Sequence, residues 1–297
     1  MKKILYILAL AFSSLAVAEP LKLLVPYSPG GSGDQTARYL AKSLSDLGHE
    51  TIVVNKPAGG GVAALADTVN ATDNKTIMLV GNGIVIAKPL EDDKVAEQVK
   101  KLVPLIHVCS YSNIIVASKQ SGIRNWKDLQ KELKNRKINL ASSSPASTAL
   151  TNYLFSDYPS TASVSYNGDA KLLPDLLSGQ IDVANMTYIS AVPQIEAGMI
   201  VPIALTMDHK FNNLPTLRNV GVNFSTEGFF GIMVGPGMSD TARKEYDSLL
   251  SKILSTPESR DFFKSIHSIV PRNSGSQDFA KLLEREHNTL SKIIVKK

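Results

Sequence analysis

A glycine-rich turn stands where a predicted strand gives way to a predicted helix. The strand covers residues 21–25, and residues 26–33 (PYSPGGSG) follow it before Asp34. The first N–H groups of a helix lack intrahelical partners and carry partial positive charge, so such a turn can hold an anion. The glycine spacing fits neither G-x-G-x-x-G nor a P-loop, which argues against a nucleotide. An anion site and a purely structural tight turn are the two alternatives.

A second group of polar side chains lies between a predicted strand and a predicted helix. Residues 142–148 (SSSPAST) hold four serines and one threonine. Their hydroxyl groups could converge with helix N–H groups on a carboxylate. The alternative is an ordinary polar loop in which one serine caps the helix.

Further polar side chains mark the ends of predicted strands. Asn82 and Asn185 each stand at such an end, and so do Tyr27 and Tyr166. Open α/β sheets bind ligands outside the carboxyl ends of their strands. Any one of these residues could be a turn or packing residue, but their shared position favours a common binding site.

Patterns typical of catalysis or metal binding are missing from the sequence. Cys109 is the only cysteine, which excludes an internal disulfide, and its apolar surroundings predict a buried inert thiol. No G-x-S-x-G elbow, zinc-helix histidine pair or identifiable acid/base pair is present. We therefore predict no catalytic residue, no metal site and no cofactor, although a triad assembled only in space would escape this test. The five histidines are His49, His107, His209, His267 and His287.

Short β-rich runs alternate with amphipathic helical runs, which predicts parallel sheets with helices on both faces. Asp34, Asn125 and Ser276 are the predicted N-caps of the first, a middle and the last helix. Since no floppy linker is evident, we expect two lobes joined by strands that cross near Ser112 and Glu227. The predicted strands are 21–25, 51–54, 76–80, 102–108, 113–117, 138–141, 163–166, 181–185, 200–205 and 229–234.

The first 18 residues have the layout of a secretory signal peptide. Lys2 and Lys3 precede an apolar run at 4–17, and Ala16 and Ala18 give the small-x-small cleavage pattern. The run is shorter than the ~20 residues that span a bilayer. Cleavage after Ala18 would leave 279 of the 297 residues, which suits two lobes and a periplasmic protein.

The charge of the chain is mildly basic. Its net charge of +5 falls to +3 without the two lysines of the signal peptide, a bias that suits an anionic ligand. One basic cluster has no interleaved aromatic residues and suits a solvated helix end, so we predict no nucleic-acid partner. That cluster consists of Lys131, Lys134, Arg136 and Lys137.

Four segments occur in an order and spacing that cover nearly all of the mature chain. They are residues 25–34 (VPYSPGGSGD), 54–61 (VNKPAGGG), 164–182 (containing VSYNG and DLLSGQID) and 230–237 (FGIMVGPG). Together they resemble the Bug family, the periplasmic substrate-binding proteins of tripartite tricarboxylate transporters.

The resemblance implies an α/β fold of the two-lobed, type II-like periplasmic-binding-protein architecture. Each lobe would be a mostly parallel sheet flanked by helices, with the ligand cleft between the lobes. Lobe 1 would contain residues 19–112 and 228–297, and lobe 2 residues 113–227. The ligand would be a carboxylate held largely by backbone amides, hydroxyls and ordered water, and it would pass to integral membrane subunits of a transporter.

By motif position, the resemblance places candidate ligand-binding residues on two walls. Asp34 is expected to organise its loop, since a carboxylate repels an anion. The first wall would contain Tyr27, Ser28, Gly30, Gly31 and Asp34, and the second Ser142, Ser143, Ser147, Thr148 and Asn185. Three further candidates, at or just after the ends of predicted strands, are Asn82, Tyr166 and Asn167.

Three departures from the family pattern remove potential positive charge from the cleft. Leu150 stands where a histidine is common, Asn167 replaces a lysine, and the usual Gly-Gly is Gly168-Asp169. The sequence therefore favours a monomeric receptor for a mono- or dicarboxylate rather than for a citrate-like trianion. A sensor that feeds a signalling partner, and more distantly an enzyme on the same fold, are the alternatives.

Overall fold

The computed structural model describes residues 19–159, 161–209, 211 and 213–294. The predicted signal peptide lies outside the described residues. The strands are β1 (Leu21–Val25), β2 (Thr51–Asn55), β3 (Thr76–Gly81), β4 (Val103–Tyr111), β5 (Asn113–Ser118), β6 (Asn139–Ser142), β7 (Ala162–Ser165), β8 (Val183–Thr187), β9 (Ile200–Leu205) and β10 (Gly228–Val234).

Helices connect most of these strands. They are α1 (Ser32–Asp46), α2 (Val62–Asn70), α3 (Lys88–Glu91), α4 (Asp93–Val99), α5 (Trp126–Asn135), α6 (Pro145–Leu154), α7 (Asp169–Leu177), α8 (Tyr188–Glu196), α9 (Asp240–Ser255), α10 (Pro257–Ser265) and α11 (Ser276–Leu290). A π-helical turn, Gly83–Ala87, leads into α3. No helix in the described part of the chain is both long and apolar enough to cross a membrane.

The strands form two sheets, in the orders β2-β1-β3-β10-β4 and β7-β6-β8-β5-β9. Each sheet is mixed, with two parallel and two antiparallel pairings. The antiparallel pairings arise because β10 and β5 run against both of their neighbours. The predicted two-lobed α/β fold is confirmed. The lobe boundaries at residues 112 and 227 stay a prediction, although the chain does change sheets between β4 and β5 and between β9 and β10.

The core fills both faces of each sheet. Along β3, Ile77 and Leu79 belong to one apolar cluster, whereas Met78 and Val80 belong to another. This alternation follows from the two-residue period of a strand, which sends successive side chains to opposite faces. A sheet covered by helices on both faces reads as a continuous apolar run, which is why the sequence shows no polar alternation in these strands.

Some local predictions are confirmed and others are wrong. Asn125 caps α5 by accepting a hydrogen bond from Asp128 N, and Cys109 is buried, which raises the pKa of its thiol to about 12. Asp34 is not an N-cap, because α1 begins two residues earlier, at Ser32. Nor does Ser276 cap the last helix, because it is the first residue within α11.

Candidate functional site

The carboxyl ends of the parallel strands of both sheets face each other across a narrow cavity of about 20 Å³. That volume is close to what one water molecule requires. The lining comes from both sheets and consists of Tyr27, Ser28, Gly31, Ser32, Gly33, Asn82, Tyr111, Ser143, Ser144, Gly168, Asp169, Thr187 and Phe230. Two wider pockets, of about 420 and 460 Å³, border residues of the same loops.

The first wall is the turn between β1 and α1. Gly30 adopts a φ of +87°, a conformation that favours glycine, and lets the chain enter α1 at Ser32. Ser32 and Gly33 line the cavity within the first turn of the helix, where backbone N–H groups have no intrahelical partner. The turn predicted from its glycines therefore presents helix N–H groups to the cleft.

Asp34 holds this turn in place from behind. Its Oδ2 accepts hydrogen bonds from Gly30 N (2.9 Å) and Arg38 Nε (2.8 Å), and its Oδ1 accepts one from Asn55 Nδ2 (2.9 Å). Asp34 is 3% exposed and does not line the cavity. The geometry agrees with the expected role of Asp34 as a loop organiser. Because the Arg38 side chain is paired with Asp34, its charge stabilises the loop and does not contact the ligand.

The substitution Asp34→Asn should destabilise the fold by about 1–3 kcal/mol at pH 7, because three donors, Gly30 N, Arg38 Nε and Asn55 Nδ2, lose a charged acceptor. Burial alone would raise the pKa of the Asp34 carboxyl, but the hydrogen bonds from Arg38, Gly30 and Asn55 outweigh it and lower that pKa. The stabilisation is therefore present above the unfolded pKa of about 3.9 and is lost as the pH falls below it. Urea denaturation of both proteins between pH 3 and pH 7 should show a difference that shrinks towards pH 3. A pH-independent difference would contradict the role of the charge.

Three aromatic rings close the floor of the cavity. Tyr27 meets Phe230 edge-on with ring centroids 5.9 Å apart, and Tyr111 packs on Phe230 at 4.7 Å. Burial first, and then the nearby charge of Asp169, raise the pKa of Tyr27, so its hydroxyl stays neutral. Asn82, at the end of β3, completes this side and donates from Nδ2 to Glu227 O (3.4 Å).

The serine-rich loop supplies part of the second wall. Ser143 and Ser144 line the cavity, and Ser143 Oγ makes no hydrogen bond to any residue that the structure describes. Ser144 and Ser147 form a capping box at the start of α6. Ser142 lies beneath the loop and donates to Thr151 Oγ1 (3.0 Å). The helix cap that was one alternative for this loop is present at Ser144, while the binding of a carboxylate by the hydroxyls that face the cleft stays a prediction.

The start of α7 supplies the rest of the second wall and touches the first wall directly. Ser28 Oγ donates to Asn167 O (2.8 Å), and Ser32 Oγ donates to Asp169 Oδ2 (3.2 Å). Thr187 Oγ1 lies 3.1 Å from Ser32 Oγ. The N-termini of α1 and α7 therefore face each other across the cleft.

The predicted binding residues fall into three groups, and their role in binding stays a prediction. Five of them line the central cavity, namely Tyr27, Ser28, Gly31, Asn82 and Ser143. Three more line the neighbouring pockets, namely Gly30, Thr148 and Asn167. The others, which are Asp34, Ser142, Ser147, Tyr166 and Asn185, do not line the cavity.

Two of these outer residues have structural partners that explain their positions. Tyr166 donates to Asp175 Oδ2 (2.6 Å) on α7, and burial followed by this hydrogen bond raises the pKa of its hydroxyl to about 12. Asn185 donates from Nδ2 to Ser147 O (3.1 Å) and accepts Ser143 N (3.2 Å) at its backbone carbonyl, so it supports the serine-rich loop from below.

Several residues of the cavity are missing from the individual candidates, although Ser32, Gly33 and Ser144 belong to the two segments that the sequence singles out. Most of them follow a strand or begin a helix, so their topological position was the available signal. They are Ser32, Gly33, Tyr111, Ser144, Gly168, Asp169, Thr187 and Phe230. Tyr111 and Phe230 lie within the apolar strands β4 and β10, where nothing distinguishes them from core residues.

This arrangement can be compared with known proteins. The sequence model of the Tripartite tricarboxylate transporter family receptor (TctC) matches residues 36–297. The chain belongs to this family. The TctC family is one of receptors, not of enzymes. A UPF0065 protein of Bordetella pertussis is 24% identical over 288 residues, which cover 93% of this chain and 89% of that protein.

Solved structures of similar proteins share the fold of this TctC-family chain. R. palustris Rpa4515 with adipate has a TM-score of 0.85 at 22% identity and covers 94% of this chain and 97% of its own. MatC (Rpa3494) from Rhodopseudomonas palustris with bound malate has a TM-score of 0.83 at 21% identity, with coverage of 92% and 98%. The periplasmic binding protein BugD has a TM-score of 0.84 at 21% identity, with coverage of 92% and 95%.

Proposed function

We propose that this chain is a periplasmic receptor that captures a small mono- or dicarboxylate between its two lobes. It then delivers the ligand to the integral membrane subunits of a tripartite tricarboxylate-type transporter. The observation that carries the proposal is the cavity between the sheets, where the N-termini of α1 and α7 face each other. The adipate and malate held by the similar Rpa4515 and MatC structures support a carboxylate as the ligand class.

Helix N-termini and hydroxyl groups suit this ligand class. The N–H groups in the first turn of α1 and the hydroxyl of Ser143 can donate to a carboxylate without a cationic side chain. Such donors supply hydrogen bonds of fixed direction as well as partial positive charge, which favours a small planar carboxylate.

Capture requires the lobes to move apart. A central cavity of about 20 Å³ cannot admit a dicarboxylate while hydrogen bonds join Ser28 to Asn167 and Ser32 to Asp169. The ligand therefore binds to separated lobes and shifts the population towards the closed arrangement by adding its own contacts to both walls.

Residues 1–18 supply the expected export signal in this proposal, and the mature chain acts as a monomer. A monomeric receptor closes around its ligand without a second copy, because both walls of the cavity come from one chain.

A thermal-shift screen tests the proposal. The chain, purified as the cell processes it, is heated with carboxylates, amino acids, sugars and nucleotides. A ligand that binds only the folded state at 100 times its Kd adds about 2.7 kcal/mol of stability, so the Tm should rise in a concentration-dependent way with a carboxylate. Unchanged carboxylate in the incubated samples would separate binding from turnover. A rise with sugars or nucleotides and none with any carboxylate would refute the ligand class.

A further inference from the structure

Asp169 places a carboxylate at the centre of the proposed binding site. It is 3% exposed, lines the cavity, and is the first residue of α7. Its Oδ2 accepts hydrogen bonds from three hydroxyls, those of Ser32 (3.2 Å), Thr187 (2.6 Å) and Ser190 (2.9 Å). Its Oδ1 accepts one, from Thr187 N (3.1 Å), and so keeps acceptor capacity.

Among the described residues, no cationic side chain balances this charge at the cavity. The lining, as far as the structure describes the chain, contains no lysine, arginine or histidine. Asp169 also borders the pocket of about 420 Å³, whose described lining includes His267 and Glu196 but no lysine or arginine. Hydrogen bonds and the helix dipole satisfy the oxygens of Asp169, yet a buried carboxylate is stabilised most by a positive charge close to it.

The surroundings of Asp169 suit a cation better than a second anion. The rings of Tyr27, Tyr111 and Phe230 line the same cavity, and aromatic faces attract ammonium groups. A ligand carboxylate placed beside Asp169 would be repelled, because two carboxylates in one site cannot both stay ionised without cost.

The donors for a ligand carboxylate lie elsewhere in the cavity. The N–H groups at the start of α1 and the hydroxyl of Ser143 are available to it. One cavity thus offers an anion-binding group of donors and a separate anionic side chain.

From this division we infer that Asp169 selects a ligand that carries an ammonium group close to its carboxylate, that is, a zwitterion of the amino-acid type. The inference rests on the proposed function, which it narrows from carboxylates in general to amino-carboxylates. Deaminated acids of the same length would leave the charge of Asp169 unbalanced in the closed cleft.

Calorimetric titration with matched pairs of ligands tests the inference. The pairs are alanine with propionate, norvaline with valerate, and glutamate with glutarate. The wild type should bind one amino acid about 30-fold or more tightly than its deaminated partner, as expected for a desolvated charge pair. The variant Asp169→Asn should lose this preference and bind the deaminated acid at least as tightly as the wild type does.

Two further variants separate charge recognition from structural effects. Asp175→Asn removes a carboxylate from the same helix at a residue that contacts Tyr166 and does not line the cavity, so it should keep the preference. Ser32→Ala removes the hydrogen bond from the first wall to Asp169 but leaves the charge, so it should keep the preference too. Far-ultraviolet circular dichroism and Tm confirm that each variant is folded.

The outcomes distinguish the inference from the proposed function. Equal affinity of the wild type for both members of every pair overturns the inference and leaves a carboxylate receptor standing. A preference for the amino acid that survives in Asp169→Asn also overturns the inference. So does a preference that disappears in Ser32→Ala as fully as in Asp169→Asn, because Asp169 would then act through its hydrogen bond between the lobes and not through its charge. Absence of binding for all the amino acids and acids overturns the inference, and failure of every carboxylate in the wider thermal-shift screen would refute the proposed function as well.

Discussion

The substitution Gly33→Ala should weaken ligand binding by about a hundredfold, although it adds a single methyl group. A Cβ at position 33 would lie 2.4 Å from Cδ2 and 3.0 Å from Cε2 of Tyr27. Both distances are shorter than van der Waals contact, so either the ring or the start of α1 must move. Misplacing one or two of the N–H donors that face the ligand carboxylate would cost about 3 kcal/mol of binding free energy, which corresponds to about two powers of ten in Kd.

The ring of Tyr27 has little room to yield. Its hydroxyl lies so close to β3 that a Cβ at Gly81 would be 2.5 Å from it, and its edge meets the ring of Phe230. Displacing Tyr27 would therefore disturb the floor of the cavity, and displacing α1 would misplace the N–H groups that face the ligand. Either movement reaches the binding site directly.

The neighbouring glycine provides the control for stability. A Cβ at Gly31 would meet its nearest atoms at 3.9 to 4.0 Å, which is ordinary contact. Gly31→Ala should therefore change the free energy of unfolding by about 0.5 kcal/mol or less, whereas Gly33→Ala should lower it by about 1–3 kcal/mol. Denaturant unfolding and calorimetry with the best carboxylate from the screen measure both effects. Equal stability and affinity for the two variants would show that Tyr27 can move aside freely.

The sequence predicted the order of strands and helices well because each strand is a compact apolar run between turn residues. It could not predict that β5 and β10 pair antiparallel, since strand direction within a sheet depends on partners far apart in sequence. The start of the first helix was placed three residues late, with Asp34 instead of Gly31 as the N-cap, because Asp is a stronger capping residue than Gly. Only the structure shows that Asp34 accepts from Gly30 while lying inside the first turn.

The sequence predicted several residues of the candidate site that follow the end of a strand. Tyr27, Ser28, Gly31, Asn82 and Ser143 follow strand ends, and all of them reach the cavity. Asp169 also follows a strand, but its contact with Ser32 joins residues 137 positions apart, which no local pattern encodes. The proposed role of Asp169 depends on hydrogen-bond partners and cavity residues that are distant from it in sequence.

The segment 235–237 belongs to a motif that resembles the family pattern, but its role is in packing and not in lining the cavity. It follows β10, and none of its residues lines the cavity. A Cβ at Gly235 would lie 2.0 Å from the carbonyl oxygen of Thr68, and one at Gly237 would lie 2.3 Å from that of Ala71. The glycines thus let the chain pass directly against the end of α2, so the resemblance in this segment reflects a requirement of the fold.

The substitution Gly235→Ala should therefore destabilise the protein by about 3 kcal/mol or more while leaving the affinity of the folded fraction unchanged. The atoms in the way belong to the backbone of α2, which cannot rotate aside as a side chain would. Thr68 is fully buried and donates from Oγ1 to Ala64 O (2.8 Å), and Leu65 of the same helix is fully buried in the core. Relief of the clash requires α2 to shift as a unit and to loosen that packing.

Gly275→Ala is the matched control, because a Cβ there meets no described atom within 4 Å and should cost about 1 kcal/mol or less. Urea denaturation at 25 °C compares the two variants with the wild type, and calorimetry below the transition compares their Kd values. A Gly235→Ala protein as stable as Gly275→Ala would mean that α2 moves at little cost. A normal stability combined with a weakened Kd would instead give this segment a direct role in binding.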